Sequence, residues 1–348
     1  MSHIIYTHDT PTALSDILSQ IAPDHIFTLS DSNTSHLCLP LIADAKALEE
    51  AEHIRIEAGD TAKSLFTLSM VWEALCNGRA TRRSALVCVG GGMVTDLGGF
   101  AAATFKRGIA HINIPTTLLS MVDAAVGGKT GINFEGFKNE IGAFADSRAV
   151  IIDTNFLRTQ DAENIRSGYA EMLKHSLLNG EDMWHRHLRF PLATPDYDEL
   201  SVLVRQSIEV KQAIVTEDPC EKGIRKALNL GHTIGHALES HYMNVGHPVL
   251  HGKAVAWGLV AELYLAVKKC AFPQEKLRHT VTFIFEHYGK PDIQCSQYDS
   301  LVELMQHDKK NTDSRINFTL LSDVGQICLD QYATKEEIEE ALDFLREG

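Results

Sequence analysis

Two histidines four residues apart form the clearest chemical pattern in the chain. His232 and His236 lie in the run GHTIGHALE, and on a helix this spacing places both imidazoles on one face, as in metal-binding helices. The glutamate of the zincin motif is absent, because Thr233 follows His232. His251 is the obvious donor of a third ligand. With 17 histidines in the chain, such a pair also arises easily by chance.

Two further segments carry charged side chains at helical spacing. Glu171 and Lys174 are three residues apart in GYAEMLKH, so a helix places them on one face, and taken alone this spacing is typical of a solvated ion pair. Lys211 shares one helical stripe with the apolar residues Leu200, Val204, Ile208 and Val215. A lysine in such a stripe is costly unless it snorkels or faces a polar cavity, and snorkelling is the simpler interpretation of the stripe alone.

The run from Gly90 to Asn139 concentrates glycines and lysines that suit a phosphorylated ligand. Three glycines follow a strand candidate, but Thr95 stands where the dinucleotide fingerprint needs its third glycine. Gly128-Lys129-Thr130 resembles the end of a P-loop, but Asp123 stands where that motif begins with glycine. ATP hydrolysis is therefore not expected. Single glycines here could simply form turns and tight strand-to-helix contacts, whereas the whole cluster favours a phosphate or dinucleotide cradle.

Composition restricts the classes of partner. The 348 residues are 44% hydrophobic and carry a formal net charge of -14, which argues against a nucleic-acid or anionic-membrane partner. An anionic ligand must then meet a local basic pocket. The N-terminus shows no signal-peptide pattern, so we expect a cytoplasmic protein. Seven cysteines without CxxC spacing indicate reduced, mostly buried thiols.

The elements change in character near residue 155. Before it, short apolar runs at 25–30, 85–89, 112–114 and 149–152 alternate with helical segments, which predicts parallel strands with crossover helices. After it, helical periodicity dominates; 194–196 is a helix start with Thr194 as N-cap and Pro195 as the first residue. Residues 254–267 predict a buried helix that is too short to span a membrane and contains Glu262. We expect an α/β domain over 1–155 and an all-α domain over 156–348.

Six segments together resemble the 3-dehydroquinate synthase family, within the sugar-phosphate cyclase superfamily. They occur in family order and near-family spacing, and the similarity extends from about Asp31 to Gly325. The segments are GGGMVTDLGGFAAATFKRG (90 to 108), IPTTLLSMVDAAVGGKTGIN (114 to 133), FKNEIGAF (137 to 144), GYAEMLKH (168 to 175), RKALNLGHTIGHALE (225 to 239) and LHGKAV (250 to 255).

The resemblance implies a Rossmann-like NAD domain followed by a helical domain that binds a divalent metal, normally zinc, with cobalt as an alternative. Glu171, His232 and His251 match the metal ligands, and His236 matches a histidine that transfers protons. The positions that match NAD contacts are Asp60, Lys63, Gly92, Met93, Val94, Thr95 and Asp96 of a loop, Thr116, Thr117, Lys129, Lys138, Phe156, Leu157, Arg158 and Thr159.

The resemblance also implies a substrate, 3-deoxy-D-arabino-heptulosonate 7-phosphate, and a role in the shikimate pathway. Asp123 matches a residue at the junction of cofactor and substrate, and Arg107 matches one that reaches across a homodimer interface. In this context Lys211 is a substrate ligand and does not snorkel. The substrate-binding positions are Arg107, Lys129, Asn139, Lys174, Lys211, Arg225, Asn229 and one of Lys309 or Lys310.

Four departures from the family pattern affect local loop geometry: Thr95, Ala124-Ala125, Phe137 and Lys253. The nearest alternative is a sister cyclase acting on another C7 sugar phosphate, which the retained Lys211, Arg225 and Asn229 disfavour. More distant alternatives are a metal-dependent alcohol or glycerol dehydrogenase, which would release NADH, and a non-catalytic NAD-binding module, which would have lost metal ligands or site lysines.

Overall fold

The computed structural model describes residues 2–135, 137–306 and 316–348. Contacts divide the chain into two compact units, Met1–Asp161 and Ala162–Gly348. The boundary predicted after residue 155 falls within a short helical turn, Thr154–Thr159, near the end of the first unit.

The first unit is built on a six-stranded sheet. Its neighbouring strands run in the order β1-β8-β5-β4-β2-β3 and all pair in parallel, which confirms the predicted parallel sheet. The elements described in this unit are β1 (His3–Tyr6), α1 (Thr10–Ile21), β2 (Ile26–Asp31), α2 (Thr34–Leu37), β3 (Glu52–Ile56), α3 (Leu65–Asn77), β4 (Ala85–Gly90), α4 (Gly92–Thr104), β5 (Ala110–Pro115), β6 (Lys129–Phe134), β7 (Phe137–Phe144) and β8 (Ala149–Ile152).

The strand order reverses between β2 and β4. After β2 the chain adds β3 at one edge, then returns past β2 to form β4 and continues to β5 and β8 on the other side. In open α/β sheets, ligands bind beyond the carboxyl ends of the strands at such a switch point. The loops after Asp31 and Gly90 therefore begin at the expected position for a ligand.

Residues Gly92–Asp96, predicted as a loop, form the first turn of α4, and the loop prediction is wrong. The helix packs very closely on β4 and β6, since a Cβ on Gly98 would be 2.4 Å from the Cys88 Sγ and a Cβ on Gly99 would be 2.6 Å from the Thr130 Cγ2. Gly98 and Gly99 therefore make the tight strand-to-helix contacts that were one expected role of single glycines.

An antiparallel hairpin, β6 with β7, also belongs to the first unit and was not predicted. Gly131 and Gly142 are paired across its two strands, and a Cβ on Gly142 would be 2.2 Å from the Thr130 carbonyl oxygen. Glycine weakens a strand intrinsically, so the run Gly-Gly-Lys-Thr-Gly did not predict a strand.

The second unit is mainly helical. Its described elements are α5 (Ala162–Asn179), α6 (Glu181–Arg189), α7 (Tyr197–Glu217), α8 (His232–Asn244), α9 (His251–Cys270), α10 (Gln274–Tyr288), α11 (Tyr298–Gln306), β9 (Ile316–Asp323), β10 (Gln326–Ala333) and α12 (Lys335–Glu347). The antiparallel pair β9 and β10 was not predicted. The α/β class of the first unit and the helical character of the second follow the prediction, with this hairpin as an addition.

Helix α7 begins later than predicted. Asp196, not Thr194, is its N-cap, and the Asp196 carboxylate accepts hydrogen bonds from the backbone N–H groups of Asp198 (2.9 Å) and Glu199 (3.1 Å). A carboxylate that accepts two N–H groups at a helix N-terminus also interacts favourably with the helix dipole. The predicted apolar stripe is buried, and Lys211 within it is 7% exposed.

Helix α9 contains the predicted buried segment 254–267, and Glu262 within it is 0% exposed. Over the described residues, the structure contains no helix that is both long enough and apolar enough to cross a membrane. The prediction of mostly buried cysteines is wrong. Only Cys38 and Cys88 are buried, and three of the seven thiols are exposed.

Candidate active site

Glycine contacts set the spacing of the three helices that carry Glu171, His232 and His251. A Cβ on Gly252 of α9 would be 1.8 Å from the Ser167 carbonyl oxygen of α5, and one on Gly258 would be 1.9 Å from the carbonyl oxygen of Gly231, the N-cap of α8. Real Cβ atoms do not approach backbone so closely, so α9 packs directly on the backbone of α5 and α8. This packing brings the first residues of α8 and α9 close to the middle of α5.

The three side chains meet in the second unit. The Glu171 Oε1 lies 3.3 Å from the His232 Nε2 and 3.6 Å from the His251 Nε2. The other ring nitrogen of each histidine has its own partner: the His232 Nδ1 is 3.1 Å from the Leu230 carbonyl oxygen, and the His251 Nδ1 is 3.1 Å from the Glu239 carboxylate. Such partners fix ring orientation in metal-binding histidines, and here both Nε2 atoms point towards Glu171.

Glu171 is a buried acid among groups that favour its charged form. It is 0% exposed, and the Lys174 ammonium contacts its second oxygen. Burial would raise the pKa of Glu171, but Lys174 and His232 hold that pKa well below its usual range. Lys174 is itself 1% exposed, so the interpretation of this pair as a solvated ion pair is wrong.

The two imidazoles beside Glu171 differ in basicity. Burial and the Lys174 ammonium lower the pKa of His232 to about 4. Burial also disfavours a charged His251, but hydrogen bonds to Glu171 and Glu239 outweigh it and raise the His251 pKa to about 10. An imidazole must be neutral to bind a metal, so a metal at His251 would have to displace a proton.

The donor set fits a divalent metal. Apart from its charge contacts, neither oxygen of Glu171 accepts a well-formed hydrogen bond, so this buried carboxylate still has oxygen lone pairs that a metal cation can use. One carboxylate and two imidazoles also form a known three-ligand catalytic zinc set. His236 is the other donor nearby, because ligand atoms of His232, His236 and His251 all lie within 4.8 Å of one another. The geometry alone therefore leaves either Glu171 or His236 as the third ligand.

Other predicted substrate residues lie on α7 and on the turn Ile224–Asn229, which packs against α7 and α5. Lys211 lies on α7, and Arg225 is 3% exposed and donates from Nη1 to the Pro219 carbonyl oxygen at 2.7 Å. The Asn229 amide donates to Glu221 at 3.1 Å. Lys309 and Lys310 lie outside the described residues.

The N-terminus of α4 is the main feature at the switch point of the first unit. Its N-cap, Gly91, provides no side-chain hydrogen bond to the first turn, and uncapped N–H groups at a helix start bind anions. A Cβ on Gly91 would be 3.1 Å from the Thr117 Cγ2, and the Thr116 N–H donates to the Gly90 carbonyl oxygen at 3.0 Å. Predicted cofactor residues from two loops are thus adjacent.

Thr95 is compatible with this helix start. The residue is 1% exposed, and its hydroxyl donates to the Gly92 carbonyl oxygen at 3.2 Å. The hydroxyl is therefore satisfied within the helix. Lys253, another departure from the family pattern, places its ammonium 5.2 Å from the centre of the Trp257 ring on the same helix.

Charged residues join three segments of the first unit. The Lys63 ammonium lies 2.5 Å from the Asp96 carboxylate and also contacts the Asn139 side-chain oxygen. The Lys138 ammonium lies 3.2 Å from the Asp60 carboxylate. Lys63, Asp96, Lys138 and Asp60 were predicted to bind NAD, whereas Asn139 was assigned to the substrate. The structure places the Asn139 side chain in contact with Lys63, one of the predicted NAD residues.

The remaining predicted residues of the first unit are more scattered. Asp123 lies in the π-helical turn Ser120–Ala124, Lys129 is exposed at the start of β6, and Arg107 is exposed in the turn Phe105–Arg107. In α4, Val94 is buried and Met93 is half-buried. In the turn after β8, Phe156 and Leu157 are buried, Arg158 is exposed and Thr159 donates to the Phe156 carbonyl oxygen.

The sequence reasoning missed Glu239, the partner of His251. A usable signal existed, because His232, His236 and Glu239 follow one another at i, i+4 and i+7, which places all three on one face of α8. Glu239 is 7% exposed. A buried acid on the face of two histidines indicates a polar cluster.

Comparisons with known proteins agree on one family. The 3-dehydroquinate synthase N-terminal model matches residues 53–167, and the C-terminal model matches residues 168–311. A 3-dehydroquinate synthase of Parabacteroides distasonis is 53% identical over 345 residues, covering 99% of this chain and 98% of the relative. One of Streptococcus pyogenes serotype M5 is 35% identical, covering 98% and 96%.

A solved structure gives a similar result. A 2-deoxy-scyllo-inosose synthase complexed with carbaglucose-6-phosphate, NAD+ and Co2+ superposes with a TM-score of 0.87. It is 25% identical in sequence, and the match covers 99% of this chain and 96% of that one. Both units of the chain are therefore included in the similarity.

Proposed function

The chain belongs to the 3-dehydroquinate synthase family, and from that premise we propose that it converts 3-deoxy-D-arabino-heptulosonate 7-phosphate to 3-dehydroquinate and phosphate. The observation that carries the proposal is the contact of buried Glu171 with half-buried His232 and His251 in a chain of this family. When bound, NAD would accept a hydride from the substrate and later return it. A divalent metal would polarise the oxygen of the hydroxyl group that undergoes oxidation.

The metal ligands that we propose are Glu171, His232 and His251, with zinc as the metal and cobalt as a substitute. Two observations favour Glu171 over His236 as the third ligand. The Glu171 oxygens are buried without a well-formed hydrogen bond, and both Nε2 atoms point towards them. His236 is then left to transfer protons to and from the substrate, from a ring centred 5.1 Å from that of His232.

NAD would bind in the first unit. The uncapped N–H groups at the start of α4 suit its pyrophosphate, and the position of that helix after β4 is the usual one for a dinucleotide. Lys63 and Asp96 hold this first turn against β7 through Asn139. The related 2-deoxy-scyllo-inosose synthase was solved with NAD+, which supports NAD here.

The substrate carries a phosphate and a carboxylate, and the chain provides buried cations for such groups. Lys174, Lys211 and Arg225 are each at most 7% exposed, although the chain as a whole has a net charge of -14. Guanidinium and ammonium groups are the side chains that bind carboxylate and phosphate most strongly.

A phosphate-release assay tests the proposal. We expect phosphate to be released from the heptulosonate phosphate with NAD present but not consumed, and we expect a chelator to stop the reaction. Net accumulation of NADH would contradict the cyclase reaction and favour a dehydrogenase. Turnover only on another C7 sugar phosphate would identify a sister cyclase, and intact metal binding with no turnover would indicate a non-catalytic module.

The active protein would be a homodimer in which Arg107 enters the neighbouring site. Arg107 is exposed, and both it (φ 70) and Lys106 (φ 50) adopt the left-handed backbone region. Such a conformation is costly for residues other than glycine and often marks a functional turn. Phe66 and Phe144 of the same unit are 73% and 66% exposed, and apolar exposure of this kind is typical of an interface.

Complementation tests the role of Arg107. An Arg107→Ala chain mixed with a His232→Ala chain should recover part of the activity, because hybrid dimers would contain one intact site. The single variants alone serve as controls. No recovery in verified heterodimers would show that each site is built within one chain.

A further inference from the structure

Helix α8 begins inside the second unit without a cap of its own. Its N-cap, Gly231, adopts the left-handed conformation (φ 78) and offers no side chain to the first turn. Leu230, Gly231, Thr233 and Ile234 are all buried. The first N–H groups of a helix have no partner within the helix, and at a buried start water cannot replace that partner.

A carboxylate from another helix supplies the missing acceptors. Glu262, in the middle of α9, is 0% exposed. One of its oxygens accepts the Gly231 N–H at 2.6 Å, and the other accepts the Ile234 N–H at 3.1 Å. These donors belong to the N-cap and to the third residue of α8. The helix dipole also favours a negative charge at this end, which offsets part of the cost of burying the carboxylate.

His232 lies between the two N–H groups that Glu262 binds. It is the first residue of α8, and its orientation depends on the backbone of this turn because its Nδ1 is 3.1 Å from the Leu230 carbonyl oxygen. A shift of the turn would therefore move the Nε2, which lies 3.3 Å from the Glu171 Oε1.

The helix that contributes Glu262 also begins with His251. At 3.6 residues per turn, eleven residues bring the chain round to about 20° from its starting direction, so His251 and Glu262 share one face of α9. Gly258 lies between them on that face and contacts the Gly231 backbone. A single helix thus carries one imidazole and the carboxylate that holds the turn of the other.

We propose that Glu262 is a positioning residue for the metal site, which fixes the separation of His232 and His251 by binding the first turn of α8. This inference rests on the metal ligands in the proposed function. Glu262 would touch neither substrate nor metal. Removing a residue that orients a ligand typically weakens metal binding by about tenfold to a hundredfold.

The test measures Co2+ binding by the full-length, metal-stripped protein. Glu262→Gln keeps the shape of the side chain but replaces one acceptor oxygen with a donor, so only one of the two N–H groups keeps its partner. We expect its Kd for Co2+ to rise about tenfold to a hundredfold, with shifted visible absorption bands. Glu262→Asp keeps both acceptors on a shorter stem and should recover part of the affinity; it also carries the test if the glutamine variant does not fold.

The matched control is Thr334→Ala, which removes the N-cap of α12 in the same unit. It should lower the Tm but leave the Kd for Co2+ within about twofold, since α12 carries no proposed ligand. Wild-type Co2+ affinity and spectrum in both Glu262 variants, despite a lower Tm, would make Glu262 a structural cap and overturn the inference alone. No Co2+ uptake by the wild-type protein would overturn the proposed metal site and the inference together.

Discussion

The two units differ in the groups that they offer for binding, which are side chains in the second unit and mainly backbone N–H groups in the first. In the second unit the groups are buried side chains on packed helices, with Glu171 and Lys174 at most 1% exposed. In the first unit the main feature is backbone at the start of α4. The Lys63–Asp96 pair there has a buried lysine, whose side chain is 6% exposed, whereas the pair of Lys138 and Asp60 is solvated, with side chains 38% and 55% exposed. The contrast matches the proposed tasks, since a buried metal needs fixed side chains whereas a pyrophosphate can be bound by backbone N–H groups.

The largest expected effect is in the second unit. His232→Ala removes one of three proposed metal ligands, and a metal contributes several kcal/mol of transition-state stabilisation, so phosphate release should fall about a thousandfold or more. NAD affinity should stay within about twofold of wild type, because the proposed NAD residues belong to the first unit. Phosphate release, bound zinc and NAD titration are the measurements.

The control for that substitution is His247→Ala, an exposed histidine in the same unit. It should leave zinc content and turnover unchanged. If His232→Ala weakened NAD binding as strongly as it lowered turnover, the division of tasks between the units would be wrong.

The sequence was sufficient to predict the family and the architecture. The resemblance to the 3-dehydroquinate synthase family and the parallel sheet are confirmed. The apolar strands of the first unit were recognisable because burial on both faces leaves a continuous hydrophobic run, as in ALVCVG. The residues of the metal and cofactor sites remain predictions.

Local propensity failed where tertiary contacts decide the conformation. Gly131 and Gly142 are poor strand residues, yet they pair because only glycine permits the two strand backbones to approach so closely there. The hydrogen bonds of Glu262 could not be predicted from the sequence either, because its two partners are backbone groups about thirty residues earlier in the chain. A one-dimensional pattern contains no signal for such a contact.

A second prediction concerns the loss of folding stability at acid pH, which we expect in both units. Burial lowers the pKa of His187 in the second unit and of His111 in the first to about 4 each. Because these folded-state values lie below the unfolded value near 6.5, the stabilisation is fully present above pH 6.5 and is lost as the pH falls towards 4. Each histidine could contribute at most about 3 kcal/mol to this loss.

Urea unfolding between pH 7 and pH 4.5 measures the effect. His187→Asn and His111→Asn should each flatten the pH dependence while lowering stability at pH 7. His247→Ala, whose imidazole is exposed, should leave the pH dependence unchanged. If only His187→Asn flattened the pH dependence of stability, the buried histidine of the first unit would not contribute to the loss of stability at acid pH.

The smallest expected effect concerns the solvated pair of the first unit. An exposed ion pair contributes about 0–1 kcal/mol, so Lys138→Ala should weaken NAD binding by about fivefold or less and leave kcat unchanged. Lys226→Ala is the matched control, since Lys226 pairs with Asp330 at 2.9 Å in the second unit with similar exposure; it should not alter NAD affinity. A loss of a hundredfold for Lys138→Ala, measured by NAD titration, would show that an exposed lysine of the first unit binds as strongly as a buried group, and the contrast between the units would no longer hold.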